Sequence, residues 1–173
     1  MGKIYYVMGK SASGKDTIYK RLVKKMPELG TVRMYTTRPI RDGETNGVEY
    51  IFTDEKQLQA MKDAGKVIEC RTYDTIYGPW SYFTADDGQI DLGSCSYLMM
   101  GTLESYEGLC KYYGAEVMVP LYIHVEDGVR LQRALNRENT QKNPKYAEMC
   151  RRFLADEKDF SKERLDQCGI IKQ

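Results

Sequence analysis

The sequence has one histidine, one tryptophan and four phenylalanines in 173 residues, and its scarcities exclude several kinds of chemistry. The sole imidazole, His124, falls inside an expected buried strand, where a structural role suits it, so neither a Ser-His-Asp relay nor a Cys-His pair is expected. The five cysteines (Cys70, Cys95, Cys110, Cys150 and Cys168) form no C-x-x-C pair, and their odd number and wide spacing do not make a disulfide framework or a metal cluster. A reducing, cytoplasmic setting fits them. Charge of one sign is also lacking, with 26 basic residues against 25 acidic. No global field therefore recommends a nucleic-acid or membrane partner, and an anionic ligand must be held by local clusters. No run reaches the roughly 20 apolar residues of a membrane span. Met1-Gly2-Lys3 leads straight into a short strand, without the pattern of a signal peptide. Neither a repeat nor a low-complexity tract interrupts the chain.

What is present suits one compact domain, with 42% apolar and 29% charged residues. Ile4 to Met8 reads as a strand, Gly9 to Gly14 as a loop, and Thr17 to Val23 as the start of a helix. A second strand is expected over Thr31 to Tyr35, then a polar stretch to Gly47 and an extended Glu49 to Phe52. Thr53 is expected to cap a helix over Asp54 to Ala64, closed by Gly65 in the left-handed conformation. Val67 to Thr72 reads as a strand. Trp80 to Leu92 reads as a hairpin turning at Asp86-Asp87-Gly88. The strand candidates Tyr97 to Met100 and Val117 to Val125 are followed by helices over Leu103 to Tyr113 and Asp127 to Arg137. A last amphipathic helix spans Tyr146 to Asp159. Such alternation predicts an α/β fold with a largely parallel core sheet and flanking helices.

Gly9-Lys10-Ser11-Ala12-Ser13-Gly14-Lys15 fits G-x-x-x-x-G-K and lies between the first strand and the first helix, as a phosphate-binding P-loop must. The glycines let backbone amides turn inward, the helix N-terminus adds positive potential, and Lys15 adds a point charge for the terminal phosphates of ATP. Asp16 stands where a Ser or Thr hydroxyl would meet magnesium. A carboxylate is also a hard oxygen ligand, so Asp16 is the candidate for Mg2+, with Thr17 one position beyond.

Downstream, Arg38 and Arg41 lie three apart in a glycine-punctuated polar segment, where two guanidinium groups can converge on one phosphate. Tyr50 can add a hydroxyl. Further on, Arg137 ends a helix and Arg152 lies on the next, across a polar loop, with Arg133 and Arg151 as secondary candidates. Mobile arginines of this kind suit the charge that builds on a transferring phosphoryl group.

The segment Thr36-Thr37-Arg38-Pro39-Ile40-Arg41-Asp42-Gly43-Glu44-Thr45-Asn46-Gly47-Val48-Glu49-Tyr50-Ile51-Phe52 resembles the acceptor-binding region of the guanylate kinase family, T-T-R-x-x-R-x-G-E-x-x-G-x-x-Y-x-F, at every fixed position. With the phosphate loop at the family's distance, the resemblance extends over nearly the whole chain. It implies a P-loop NTPase fold in three parts: a core of 1–32, 93–136 and 147–173, a monophosphate-binding insertion at 33–92, and a small lid at 137–146. It also implies ATP-dependent phosphorylation of GMP to GDP by a monomer or homodimer. Arg38, Arg41, Tyr50 and Tyr77 would bind the acceptor phosphate, Glu44 would support that loop, Glu69 would accept hydrogen bonds from guanine, and Arg137 and Arg152 would serve catalysis. The chain departs from the family at Met34 and Pro79, where hydroxyls are replaced, and at Met99-Met100-Gly101, where a D-x-D pair is absent. Two alternatives stay open: a kinase of the same fold for another phosphorylated acceptor, such as ribose 1,5-bisphosphate, and a non-catalytic guanylate kinase-like binding module.

Overall fold

The computed structural model describes residues 1–75 and 77–170, so Ile76 of the expected insertion and the last three residues of the expected core lie outside it. In chain order the elements are β1 (Ile4–Met8), α1 (Lys15–Lys25), β2 (Gly30–Thr31), β3 (Tyr35–Thr36), β4 (Ile51–Phe52), α2 (Glu55–Asp63), β5 (Val67–Thr75), β6 (Gly78–Ala85), β7 (Tyr97–Gly101), α3 (Leu103–Tyr113), β8 (Met118–Tyr122), α4 (Asp127–Asn139), α5 (Tyr146–Asp159) and α6 (Lys162–Gln167).

β1 is apolar nearly throughout because it sits between two parallel neighbours and beneath helices, with no face left for water. The core sheet runs β2-β7-β1-β8, and Ile4, Tyr6 and Met8 pack in one cluster with Leu103 and Leu109 of α3 and Phe160 and Leu165 of the C-terminal helices. This sheet aims the C-terminal end of β1, and the loop that follows it, at one edge of the molecule.

A second sheet, β4-β3-β6-β5, holds the acceptor-side residues. Its long component is the antiparallel β5–β6 hairpin. One face of this sheet packs Phe83 with Leu58 of α2, joined by Ala85, Tyr35 and Cys70. Alternation along β5 places Glu69, Arg71 and Tyr73 on the opposite face.

Several expectations are corrected. The single strand over Thr31 to Tyr35 is two short strands in different sheets. Val32 turns into the main core, and the Arg33 amide donates to Gln89 Oε1 at 2.8 Å. The hairpin turns just before Gly78, not at Asp86-Asp87-Gly88. That triplet is a connecting loop, in which the Asp86 amide donates to Lys66 O at 2.7 Å and the Asp87 carboxylate accepts the Tyr35 hydroxyl at 2.7 Å. Asp54, not Thr53, caps α2, accepting from the Gln57 amide at 2.7 Å, because it is Asp54 that keeps the extended conformation of a cap residue. Gly65 does adopt the left-handed conformation, φ 65°. β8 ends at Tyr122, so His124 lies in the following loop, part-exposed beside Glu126. α6, capped by Ser161, was not expected from the sequence.

Candidate active site

The loop between β1 and α1 has the backbone of an anion cradle. Gly9 must be glycine, since a Cβ there would lie 2.8 Å from Ile123 O and 2.9 Å from Ser13 Oγ. Gly14 takes φ 89° at the N-cap of α1 and offers no side chain to the first-turn amides, which stay open to a ligand. The buried Ser13 Oγ has no hydrogen-bond partner among the described residues, as expected of a loop shaped for an incoming anion. These features fit the phosphates of a nucleotide. Lys15 leads α1, its ammonium 3.8 Å from Asp16 Oδ1, and the Asp16 side chain is 70% exposed. Among the described residues no group of three or more His, Cys, Asp or Glu could cage a metal alone. The exposed Asp16 carboxylate, in the first turn of α1, is a hard oxygen donor of the kind that fits magnesium.

Lys10 faces the other way. Its ammonium lies 2.6 Å from Glu157 Oε1 and 3.7 Å from Asp127 Oδ1. Beside it is a group that sequence reasoning missed. Arg130 of α4 is 1% exposed. It donates to Asp127 Oδ1 and Glu157 Oε1, both at 2.7 Å, and to Ser11 O at 3.2 Å. Asp156 accepts the Ser11 amide at 2.7 Å and lies 3.7 Å from Arg130. The Arg130 guanidinium also covers the Phe153 ring at 4.6 Å. Residues of α4 and α5 thus grip the crown of the loop by both the N–H and the C=O of Ser11. Arg133 adds a long 3.5 Å contact to Ala12 O. In sequence, Arg130, Asp156 and Glu157 look like parts of solvated helix faces, and no local signal separates them from their neighbours.

On the acceptor side, Arg38 is 3% exposed and forms a fork-to-fork pair with Glu44, at 2.7 and 2.6 Å. Its guanidinium stands over the rings of Tyr50 and Phe52, at 5.3 and 5.2 Å. The Arg38 hydrogen bonds hold the Glu44 carboxyl down at about 2, and the Arg41 amide, donating at 2.9 Å, assists. Glu44 therefore stays ionised and shapes the loop from both arginines. The Arg41 side chain is exposed. Burial raises the Tyr50 hydroxyl above its ordinary range, and the Tyr82 and Asp16 charges add to that effect. A cavity of 520 Å³ opens beside Arg38, Ile40, Asn46, Phe52 and Gln57, and another of 440 Å³ beside Lys10, Tyr122, His124 and Asp127.

Glu69 is 9% exposed, whereas its position in a strand suggests a solvent-facing residue. It is fully engaged within the protein, accepting from Thr84 Oγ1 at 2.7 Å and from Arg71 Nε at 3.1 Å. Gly108 of α3 lies so close that a Cβ there would come within 2.6 Å of Glu69 Cβ. At the end of β7, a Cβ on Gly101 would lie 2.1 Å from the Tyr6 hydroxyl, so the absence of a carboxylate at that position has a steric basis.

The remaining candidates stand apart. Tyr77, in the hairpin turn, is 76% exposed and stacks on Trp80 at 6.0 Å, its hydroxyl making no hydrogen bond among the described residues. Arg152 and Arg151 are both held by Glu148 of their own helix, at 2.8 and 2.7 Å. α4 runs two residues past the expected end, and Arg137 lies in its last turn, exposed and without an ion pair among the described residues.

A family model described as guanylate kinase matches residues 1–81. The guanylate kinase of Legionella pneumophila (strain Lens) is 37% identical over 78 residues, covering 44% of this chain and 37% of that protein. That of Coxiella burnetii is 37% identical over 76 residues, covering 43% and 37%. The matched stretch thus spans little more than a third of the length of these curated relatives. A crystal structure of guanylate kinase from Anaplasma phagocytophilum superposes with a TM-score of 0.58 at 16% identity, covering 99% of this chain and 97% of that one. In its first 81 residues this chain is similar to the guanylate kinase family, and over nearly all of its length it shares the α/β fold of that solved structure.

Proposed function

We propose that this protein is an ATP-dependent nucleoside monophosphate kinase that transfers the γ-phosphoryl group of ATP to GMP, giving ADP and GDP. The observation that carries the reading is the open phosphate loop: Gly9 and Gly14 shape it, Lys15 heads the uncapped first turn of α1, and the buried Ser13 hydroxyl has no partner among the described residues. Lys15 would hold the β and γ phosphates. Arg38, Arg41 and Tyr50 would hold the acceptor phosphate, with Glu44 fixing Arg38. An oxygen of that phosphate forms the new bond to γ-phosphorus while the bond to the β–γ bridging oxygen breaks and ADP leaves. The attacking oxygen is already ionised, so no general base is needed, in keeping with the absence of a positioned histidine. Asp16 would hold magnesium, which would supply charge neutralisation on the phosphates.

The three-part division belongs to the same proposal. Arg137 and Arg152, flanking the 140–145 connection, would deliver positive charge to the equatorial oxygens. For Arg152 this means exchanging Glu148 for phosphate, a trade between exposed partners at little cost. The intact glycines and Lys15 of the loop support catalysis over a purely binding role. Gly101, with no room for a side chain, favours as a second reading an acceptor other than GMP. The test is magnesium-dependent release of ADP from ATP, with and without GMP, in wild type and Lys15→Ala. GMP-dependent release that the variant lacks supports the reading, and equal rates in the two proteins refute it.

A further inference from the structure

Glu69, Arg71 and Tyr73 share one face of β5, joined across the ladder by Tyr82 and Thr84 of β6. Tyr82 packs edge to face with Tyr50 at 5.7 Å and with Tyr73 at 5.9 Å, so the face combines an aromatic floor with one carboxylate and one guanidinium. Each carboxylate oxygen already accepts one hydrogen bond, one from Thr84 and the other from Arg71. The guanidinium has donors to spare. Arg71 is 6% exposed; its Nε goes to Glu69 and its Nη1 to Thr102 Oγ1 at 2.7 Å, but Nη2 meets only the Met34 sulfur, at 3.8 Å, among the described residues. A thioether is a weak acceptor, so a buried pair of N–H groups lacks a proper partner. Met34 and Arg71 thus meet where a base reader is expected, and what they offer is a donor.

Resting on the kinase reading above, we infer that Arg71 is the specificity-determining residue of the acceptor site and that it selects a nucleobase presenting a carbonyl oxygen. Its positive charge is already balanced by Glu69, so a neutral carbonyl gains a charge-assisted hydrogen bond without adding net charge. A second phosphate would bring like charge beside the Glu69 carboxylate, which disfavours a sugar bisphosphate. An exocyclic amine facing Arg71 sets donor against donor and leaves both unpaired, which is how a polar site rejects a wrong substrate. Guanine and hypoxanthine nucleotides both present that carbonyl, so both pass this selection.

The test is equilibrium binding of GMP, IMP, AMP and ribose 1,5-bisphosphate to the full chain, which needs no turnover, followed by kcat/KM for the same set. Expected are binding of both GMP and IMP, with AMP and the bisphosphate weaker than both by about a hundredfold or more. Equal binding of AMP, preferred binding of the bisphosphate, or no binding of GMP and IMP each overturns the inference. Oxo-selective binding without transfer would refute the kinase reading alone. Arg71→Lys keeps a cation beside Glu69 but removes the Nη donors. It should lower the GMP-to-AMP preference by more than tenfold, with folding checked by circular dichroism, and an unchanged preference in the folded variant overturns the assignment.

Discussion

Substituting Arg130 with methionine removes the buried cation that joins α4 and α5 to the Ser11 carbonyl of the phosphate loop. Methionine fills the space of the aliphatic stem, so the main loss is electrostatic. Breaking a buried ion pair by removing one partner costs about 3–5 kcal/mol. Here Asp127 and Glu157 reach solvent, and Lys10 remains beside both to compensate. The expected cost falls to about 2–3 kcal/mol after discounting the exposed partners. For a chain of this length that lowers Tm by about 4–12 °C. The Ser11 carbonyl loses its donor, and Asp156 keeps the Ser11 amide without the guanidinium that steadies it. Loop amides that must be prearranged for phosphate then become mobile, so KM for ATP should rise by about tenfold, a loss of about 1.4 kcal/mol, while KM for the acceptor changes little. Thermal melting and ADP release at varied ATP and fixed acceptor measure both effects. A melt within 1 °C of wild type, by the same scaling, and an unchanged KM for ATP would refute the reasoning.

Lys15→Ala should abolish transfer and leave Tm nearly unchanged, because among the described residues the Lys15 ammonium has only the exposed Asp16 as its partner; a large fall in Tm would show a structural role instead. Gly101→Ala puts a methyl group 2.1 Å from the Tyr6 hydroxyl. It should cost about 1–3 kcal/mol in urea unfolding, and Tyr6→Phe in the same chain should recover part of this. Acid tests the Arg38–Glu44 pair. The Glu44 carboxyl is held at about 2 against an ordinary 4.5, so its stabilisation is complete above about pH 4.5 and is lost as pH falls through about 2. The stability gap between wild type and Glu44→Gln should therefore be flat above pH 5 and narrow below it, whereas a gap that widens in acid contradicts the assignment.

Wherever local pattern and tertiary demand agree, the sequence is legible. β1, α3 and α5 fall at the expected residues because their apolar spacing agrees with the faces they bury, and in α3 the Thr102 cap points the same way. The phosphate loop is legible for the same reason, since its glycines answer backbone needs that the structure displays at Gly9 and Gly14. Reading fails where distant partners decide. Asp86-Asp87-Gly88 is a strong turn signal, yet β6 pairs with β5 instead of with the segment that follows, and the triplet ties Lys66 to Tyr35. Arg130 and Arg71 are invisible to local reasoning because a charged residue in a helix or strand is usually solvated. Their burial depends on carboxylates 27 residues away in one case and two in the other, and on a hydroxyl and a thioether brought in from other elements. Glu69 was legible only through resemblance, and its engagement by Arg71 was not legible at all.

The most direct test of the account is magnesium-dependent release of ADP from ATP, measured with and without GMP and repeated with Lys15→Ala. The account predicts GMP-stimulated release in wild type, loss of stimulation when magnesium is chelated, and none in the variant. Release that ignores GMP, or persists without Lys15, would contradict a phosphoryl transfer built on this loop.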